Sequence, residues 1–382
     1  MTSSTDNLTT EDVVLSIANP HQRELSWRLN STAWAGPMTL DQYLGRETAL
    51  AESSLSRDGG TIYFVLHPCD DPETTVSSCE VVRKRALVTL PGHGTTPYEA
   101  GAYGIASVFT NPRFRGRGMA SHMLRKVQEY VDGELRTMFG VLYSDIGREY
   151  YSQLGWKDFP SPQLLLTLSD ARKSDGDADA SSSLSAPGSV MLGEDEALTL
   201  CDLDVGLVFR LLVKNTERGG EDGKARVAFL PNEEQISWHF TRDKYVCKVL
   251  AGREVVNRGA RTENGFAWII WDHDLREKKL KILRLVEDCV MNRRKDQLLG
   301  DVKTLLRAAL VEAQDWGLSK VLVWNPSPAT ATAAAELWSE LQPQVQVTLE
   351  ERDDGSIPSL RWRESRPVDN VVWELNEYYA WC

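Results

Sequence analysis

Apolar positions switch between a helical and a strand period along the chain, and the switches predict the order of its elements. In the first half the spacing predicts helices over His21–Trp34 and Leu40–Ser53 and strands over Ile62–His67 and Val76–Leu90. Tyr98–Thr110 (YEAGAYGIASVFT) reads as a strand rich in small residues. The strongest helical signal follows: Met119, Ala120, Met123, Leu124, Val127 and Val131 share one face, and Asp132-Gly133 ends it. A strand over Phe139–Tyr143, a helix over Arg148–Leu154 and a strand over Gln163–Leu168 complete this half. Such an order implies an α/β (α+β) domain with at least one parallel crossover.

The second half repeats the outline. Phe266–Trp271 and Lys279–Leu285 read as paired strands around a charged turn, Asp272–Lys278. A helix over Asp301–Trp316, a strand over Lys320–Trp324 and a helix over Thr332–Leu341 follow, then a final hairpin of Val345–Leu349 with Leu360–Arg363. Nine of the twelve tryptophans lie beyond residue 190, which points to an aromatic core or pocket there. Between the halves, Ser169–Ser189 holds seven serines, four aspartates and one large apolar side chain, Leu184. It buries too little to offset its ordering entropy and reads as a flexible linker between domains 1–168 and 190–382.

Composition acts by exclusion. No apolar run approaches the roughly 18 residues of a membrane span. Met1–Asn7 lacks the basic and apolar regions of a secretory leader, and no glycine follows Met1 to carry a lipid. A net charge of −12 argues against a nucleic-acid partner and suits either a cationic small substrate or simply a solvated acidic surface. Six sparse cysteines without a C-x-x-C pair fit a reducing, cytoplasmic compartment, and six scattered histidines give no metal-ligand spacing.

Chemistry concentrates in Val108–Ala120, VFTNPRFRGRGMA. A strand runs to Thr110, Pro112 stops it, and Gly116 and Gly118 turn the chain directly into a helix. Unpaired N–H groups and the positive end of the helix dipole meet there. Glycines let a ligand approach closely, and Arg113, Arg115 and Arg117 add three cations. The combination makes a pyrophosphate cradle that is neither a P-loop nor a Rossmann G-x-G-x-x-G. On this hexapeptide alone, a glycine turn with solvated arginines explains the pattern as well.

Context supplies the rest. R-x-x-G-x-G at Arg113, Gly116 and Gly118, followed by Tyr151-Ser-Gln-Leu-Gly-Trp156, resembles the GNAT superfamily of acyl-CoA N-acyltransferases over residues 20–168. Ala106–Leu124 and Leu142–Trp156 are similar to the fungal lysine N6-acetyltransferases of lysine catabolism, with weaker likeness in Ile236–Tyr245 and Ala267–Arg276. The resemblance implies a GNAT fold with a central mixed sheet over 1–168. It implies a degenerate GNAT-like domain over 190–382 that helps form the substrate pocket.

It also implies roles. Acetyl-CoA would lie where two parallel strands splay apart, its pantetheine along Ser107, Val108, Phe109 and Thr110. Its pyrophosphate would meet Arg113, Arg115, Gly116, Arg117, Gly118, Met119 and Ala120, with Ser144 closing the second strand. A neutral amine attacks the thioester directly, with a Val108 or Phe109 N–H receiving the oxyanion. Tyr151, also a cofactor contact, is the expected acid for the departing thiolate, unless it only packs as Tyr150 does. No base is evident: Glu99 lies on the entering strand, and Ala102, near where some members carry one, has no basic group. Asp145 either contacts the amine or caps a helix. His122 is a surface or core histidine, and Arg125 and Lys126 face a 3′-phosphate or solvent.

Trp271, Asp272 and Asp274 offer ion pairing and cation–π contact to a diamino-acid cation, or form an ordinary turn. The aromatic end, Trp373–Cys382, is expected to dock. By analogy with the tandem N-myristoyltransferases, the carboxylate of Cys382 is a second catalytic candidate, against a tail that merely closes the second domain. The function implied is acetyl-CoA-dependent acetylation of the ε-amine of free L-lysine or a related small amine. The alternatives are a protein or peptide lysine acetyltransferase, an enzyme of polyamines or secondary-metabolite amines, and a non-catalytic CoA-binding protein.

Overall fold

Asn19 and Thr39 each accept a hydrogen bond from a backbone N–H three residues on, while Gln22 and Gln42 cap back. These two capping boxes fix where the first helices begin. The computed structural model describes residues 8–169, 184–219, 222–290, 293–363 and 368–381. Most of the expected linker therefore lies outside the described residues.

The first half runs β1 (Val13–Ile17), α1 (Pro20–Trp34), α2 (Leu40–Ala51), β2 (Thr61–Pro68), β3 (Ser77–Thr89), β4 (Tyr98–Thr110), α3 (Met119–Tyr130), β5 (Phe139–Ser144), α4 (Glu149–Ser152), β6 (Lys157–Asp158) and β7 (Pro162–Leu168). The second runs β8 (Ser189–Leu192), α5 (Glu194–Gly219), β9 (Ala225–Phe229), α6 (Glu233–Ala251), β10 (Gly259–Thr262), β11 (Trp268–Asp274), β12 (Lys279–Val286), α7 (Lys295–Asp315), β13 (Lys320–Trp324), α8 (Pro328–Leu341), β14 (Val345–Glu351), β15 (Ile357–Trp362) and β16 (Val371–Trp373).

Two mixed sheets result. The first has the order β1-β2-β3-β4-β5-β15-β6, with β9 beside the end of β3 and β16 on β9; the second has the order β14-β7-β13-β12-β11-β10-β8. Each sheet contains a parallel strand–helix–strand crossover, β4–α3–β5 and β12–α7–β13, and the first also pairs β9 with β16 in parallel. The halves exchange strands: β7 sits between β14 and β13, and β15 sits between β5 and β6. The expected final hairpin is therefore absent. Val345–Glu351 pairs along its whole length with β7, while β15 buries Ile357 and Leu360 beside β5. The expected turn Asp272–Lys278 is shorter, because β11 continues to Asp274 opposite Lys279.

Three apolar layers follow from the patterning. The stripe of α3 buries Met119, Met123, Leu124 and Val127 against Phe64, Val81 and Ile105. Between the sheets, Ala86, Ala102 and Phe139 meet Trp268, Ile270 and Trp324. Beneath α7 and α8 lies the third layer, with Leu164 and Leu166 of the exchanged strand inside it. The aromatic tail docks: Tyr378, Tyr379 and Ala380 are buried, and Gln235 Nε2 donates to the Tyr379 carbonyl at 2.8 Å. Cys382 lies outside the described residues.

Candidate active site

Strand pairing itself opens the cleft. β4 and β5 run parallel from Ala102/Phe139 to Ile105/Leu142, and there their pairing ends. β4 continues to Thr110 bonded only to β3, so its other edge faces an opening. The departure coincides with a bulge: Ser107 adopts φ +52°, and the β3–β4 register slips between Ser78 and Glu80. Bulges of this kind re-aim backbone groups at active sites. Phe109 is held from outside the cleft by an edge contact with Trp34, ring centroids 5.7 Å apart.

Beyond Thr110 the chain enters the glycine turn. Gly116 and Gly118 take φ +76° and +73°, conformations that other residues adopt only under strain, and a Cβ on either would meet nothing within 4 Å. Gly118 is the N-cap of α3, and no side chain caps the helix. Its first-turn N–H groups are thus free for an anion. Arg115 Nε donates to the Thr110 carbonyl at 3.1 Å, and Asn111 Oδ1 accepts from the Arg113 N–H, which fixes the turn against the strand end. Arg113 and Arg117 both lie near the ring of Phe114, at 5.6 and 5.8 Å. The Met119 side chain is buried in the core, so only its backbone faces the turn. Ala120 follows on the same first turn.

Tyr151 sits on the one-turn α4, buried among the core residues beneath α3, its ring edge-on to Tyr150 at 5.0 Å. Tyr150 is the packing partner, its hydroxyl 3.0 Å from Ser121 Oγ, whereas the Tyr151 hydroxyl has no hydrogen-bond partner among the described residues. Burial pushes the Tyr151 phenol above its ordinary pKa, so it is protonated at neutral pH. Ser144 Oγ is spent on its own turn, donating to the Gly147 carbonyl at 2.6 Å.

Other expected residues stand elsewhere. Asp145 accepts from the Ser356 N–H at 2.8 Å and so holds the turn before β15. Glu99 pairs with Arg85 on the surface, opposite Leu87 and far down the ladder from the bulge. Trp271 and the two aspartates do not form one pocket, because successive strand residues face opposite ways. Trp271 lies in the core under α7, donating to the Asn257 carbonyl at 3.2 Å. Asp274 pairs with Lys281 at 2.5 Å, and Asp272 lies 3.8 Å from His239 Nδ1. Lys126 pairs with Glu129 at 3.1 Å.

One acidic residue escaped the sequence reading. Glu80 of β3 pairs with Ala106 beside the bulge and lines a small cavity with Arg23, Trp27, Asn30, Ser78 and Ser107. Loss of hydration, and next the charge of Glu47 on α2, raise its pKa to about 8; Ser107, Arg46 and Trp27 counteract this. Its signal was present in SSCEVV, a carboxylate inside an otherwise apolar strand. Nothing in the sequence shows that α1 and α2 close over it.

Known proteins resemble this chain in sequence and in fold. The family model described as the LYC1 GNAT-like C-terminal domain matches residues 174–382, more than half of the chain. An uncharacterized Saccharomyces cerevisiae protein is 26% identical over 405 residues, covering 95% of this chain and 96% of that protein. A Yarrowia lipolytica lysine acetyltransferase is 21% identical over 313 residues, 70% of this chain and 74% of that one. Among solved structures, a probable N-acyltransferase from Enterococcus faecalis superposes with a TM-score of 0.53 at 12% identity, over 93% of this chain and 74% of its own. A GCN5-related N-acetyltransferase from Kribbella flavida gives 0.51 at 13%, over 92% and 72%. These two show the fold.

Proposed function

Because the chain belongs to the LYC1-type GNAT family, and is thus an N-acetyltransferase with acetyl-CoA as acyl donor, we propose that its acceptor is the ε-amine of free L-lysine or a closely related small amine. The observation that carries the reading is the opening of β4 from β5 after Ile105 and Leu142, with the glycine turn and uncapped α3 at its mouth. The free edge of β4 over Ser107–Thr110 takes the pantetheine as a strand would. Arg113, Gly116, Gly118 and the first N–H groups of α3 take the pyrophosphate. The amine nitrogen attacks the thioester carbonyl; the C–N bond forms, the C–S bond breaks, and the sulfur takes a proton from Tyr151. Tyr151 suits that task because its hydroxyl is protonated, buried and without a hydrogen-bond partner among the described residues.

For the acceptor, the sequence resemblance and the lysine acetyltransferase of Yarrowia lipolytica support lysine. We place the reaction in the cytoplasm, where the free thiols of Cys69, Cys79, Cys201, Cys247 and Cys289 stay reduced. Among the described residues no helix is long and apolar enough to cross a membrane. The test is thiol release from acetyl-CoA with L-lysine, ornithine, polyamines and a lysine-containing peptide. Lysine is expected to give the highest kcat/KM, and a higher value for the peptide overturns the assignment.

A further inference from the structure

We infer that Glu80 is the base that takes the proton from the acceptor ammonium, in a pocket walled by α1 and by the bulge of β4. The inference rests on the acetyl-transfer reading above and names a group that reading leaves open.

Position carries it. Glu80 stands across the ladder from Ala106, one residue before Ser107 leaves the register, so its carboxylate borders the point where the thioester is expected. The cavity beside it is lined by polar atoms that nothing satisfies. Asn30 Oδ1 and Ser78 Oγ, on residues only 2% and 4% exposed, have no hydrogen-bond partner among the described residues, and neither does Arg23 Nε. Orphaned buried polar atoms are few in native proteins. Here three of them line the same small cavity as Glu80, which has room for little more than a water or the ammonium head of an acceptor.

Charge tunes the site. The charged and titratable groups near Glu80 are Glu47, Arg46 and Tyr43 from α2, Arg23 from α1, Tyr63 from β2 and, next to it on its own strand, Cys79. Arg46 Nε donates to Glu47 at 2.9 Å and offsets only part of that second negative charge. An ordinary carboxylate, near pKa ~4.3, is a weak base for an alkylammonium near ~10.4. A carboxylate poised close to neutrality removes the proton far more effectively. The other acids considered are committed elsewhere: Asp145 to Ser356, Glu47 to Arg46, and Glu99, far down the ladder, to Arg85.

The protons balance. The ammonium gives one proton to Glu80 and becomes the nucleophile. After attack, the nitrogen loses a second proton, which replaces the one Tyr151 gives to sulfur. Glu80 then returns its proton to water, so each turnover releases one proton together with the thiol and the amide.

The test compares the full-length wild type with Glu80→Gln and Glu47→Gln. Glu80→Gln is expected to bind acetyl-CoA with unchanged calorimetric affinity and to lose roughly 10²–10⁴-fold in kcat/KM for the amine. It should also lose the rise in rate with pH that is expected of the wild type near pH 8. Glu47→Gln, a positioning change, should move that rise to lower pH. Infrared difference spectra between wild type and Glu80→Gln read the Glu80 carboxyl without turnover, and its midpoint should lie well above the usual carboxylate range. A Glu80→Gln variant with wild-type kcat/KM and pH profile overturns the assignment, as does an ordinary midpoint. Failure of the acetyl-transfer reading has a separate sign: the wild type itself binds no acetyl-CoA, and the assignment then falls with it.

Discussion

Tyr379 donates its hydroxyl to the Phe229 carbonyl at 2.8 Å, with both residues fully buried. The bond fastens the end of the described chain to β9, the strand that borders β3. Tyr379→Phe removes only the hydroxyl, and a lost buried hydrogen bond with a bared carbonyl costs about 1–3 kcal/mol. Urea unfolding should show that loss, while acetyl-CoA affinity stays within twofold.

On the proposed reading, the glycine turn is expected to set cofactor affinity through its backbone. At φ +73° an alanine in place of Gly118 finds open space but adopts a conformation that costs about 1–2 kcal/mol. If the turn relaxes to avoid this, the first N–H groups of α3 swing away from the pyrophosphate. Gly118→Ala should therefore weaken acetyl-CoA binding about tenfold or more by calorimetry and leave the circular dichroism spectrum unchanged.

Tyr151→Phe should keep acetyl-CoA binding and lower kcat roughly 10²–10⁴-fold if the phenol protonates the thiolate. Acceptors attacking a thioester with a more acidic leaving thiol should be spared most of that loss. Wild-type kcat in Tyr151→Phe returns the residue to a packing role.

His273 predicts a pH dependence of stability. Its Nδ1 lies 3.0 Å from Asp243 and its Nε2 3.1 Å from Glu312. Burial alone would lower its pKa, but these bonds outweigh it and raise the value to about 9, above 6.5. A raised folded-state pKa gives stability that is complete below the unfolded value and lost as pH rises through the folded one. Unfolding free energy should therefore fall between about pH 6.5 and pH 9, and His273→Gln should flatten that fall.

Much of the candidate cleft's framework was legible in the sequence, because local rules write it. A small-residue strand, a proline stop, two glycines and a helical stripe each act over a few residues, and β4, the turn and α3 appear where those signals stand. The proposed acceptor side was not legible. Glu80 becomes distinctive only when α1 and α2 cover it and Glu47 comes beside it, and those neighbours are distant in sequence. The pairing of Trp271 with Asp272 and Asp274 failed for the opposite reason. Adjacency in the chain was read as adjacency in space, but a strand sends neighbours to opposite faces. The hairpin at the end failed because pairing partners of β14 and β15 lie in the first half, at separations no local pattern records.

Those exchanged strands bear on how the chain is made. β5 pairs on one side with β4, which precedes it, and on the other with β15, ending at Trp362. At synthesis rates of about 5–20 residues per second, the ribosome needs roughly 10–40 s to travel from Ser144 to Trp362. Throughout that interval the nascent first half presents the bare edge of β5, a template for stray strands. Completion of the first sheet thus waits for β15 to emerge, which leaves the first half exposed to mispairing during translation.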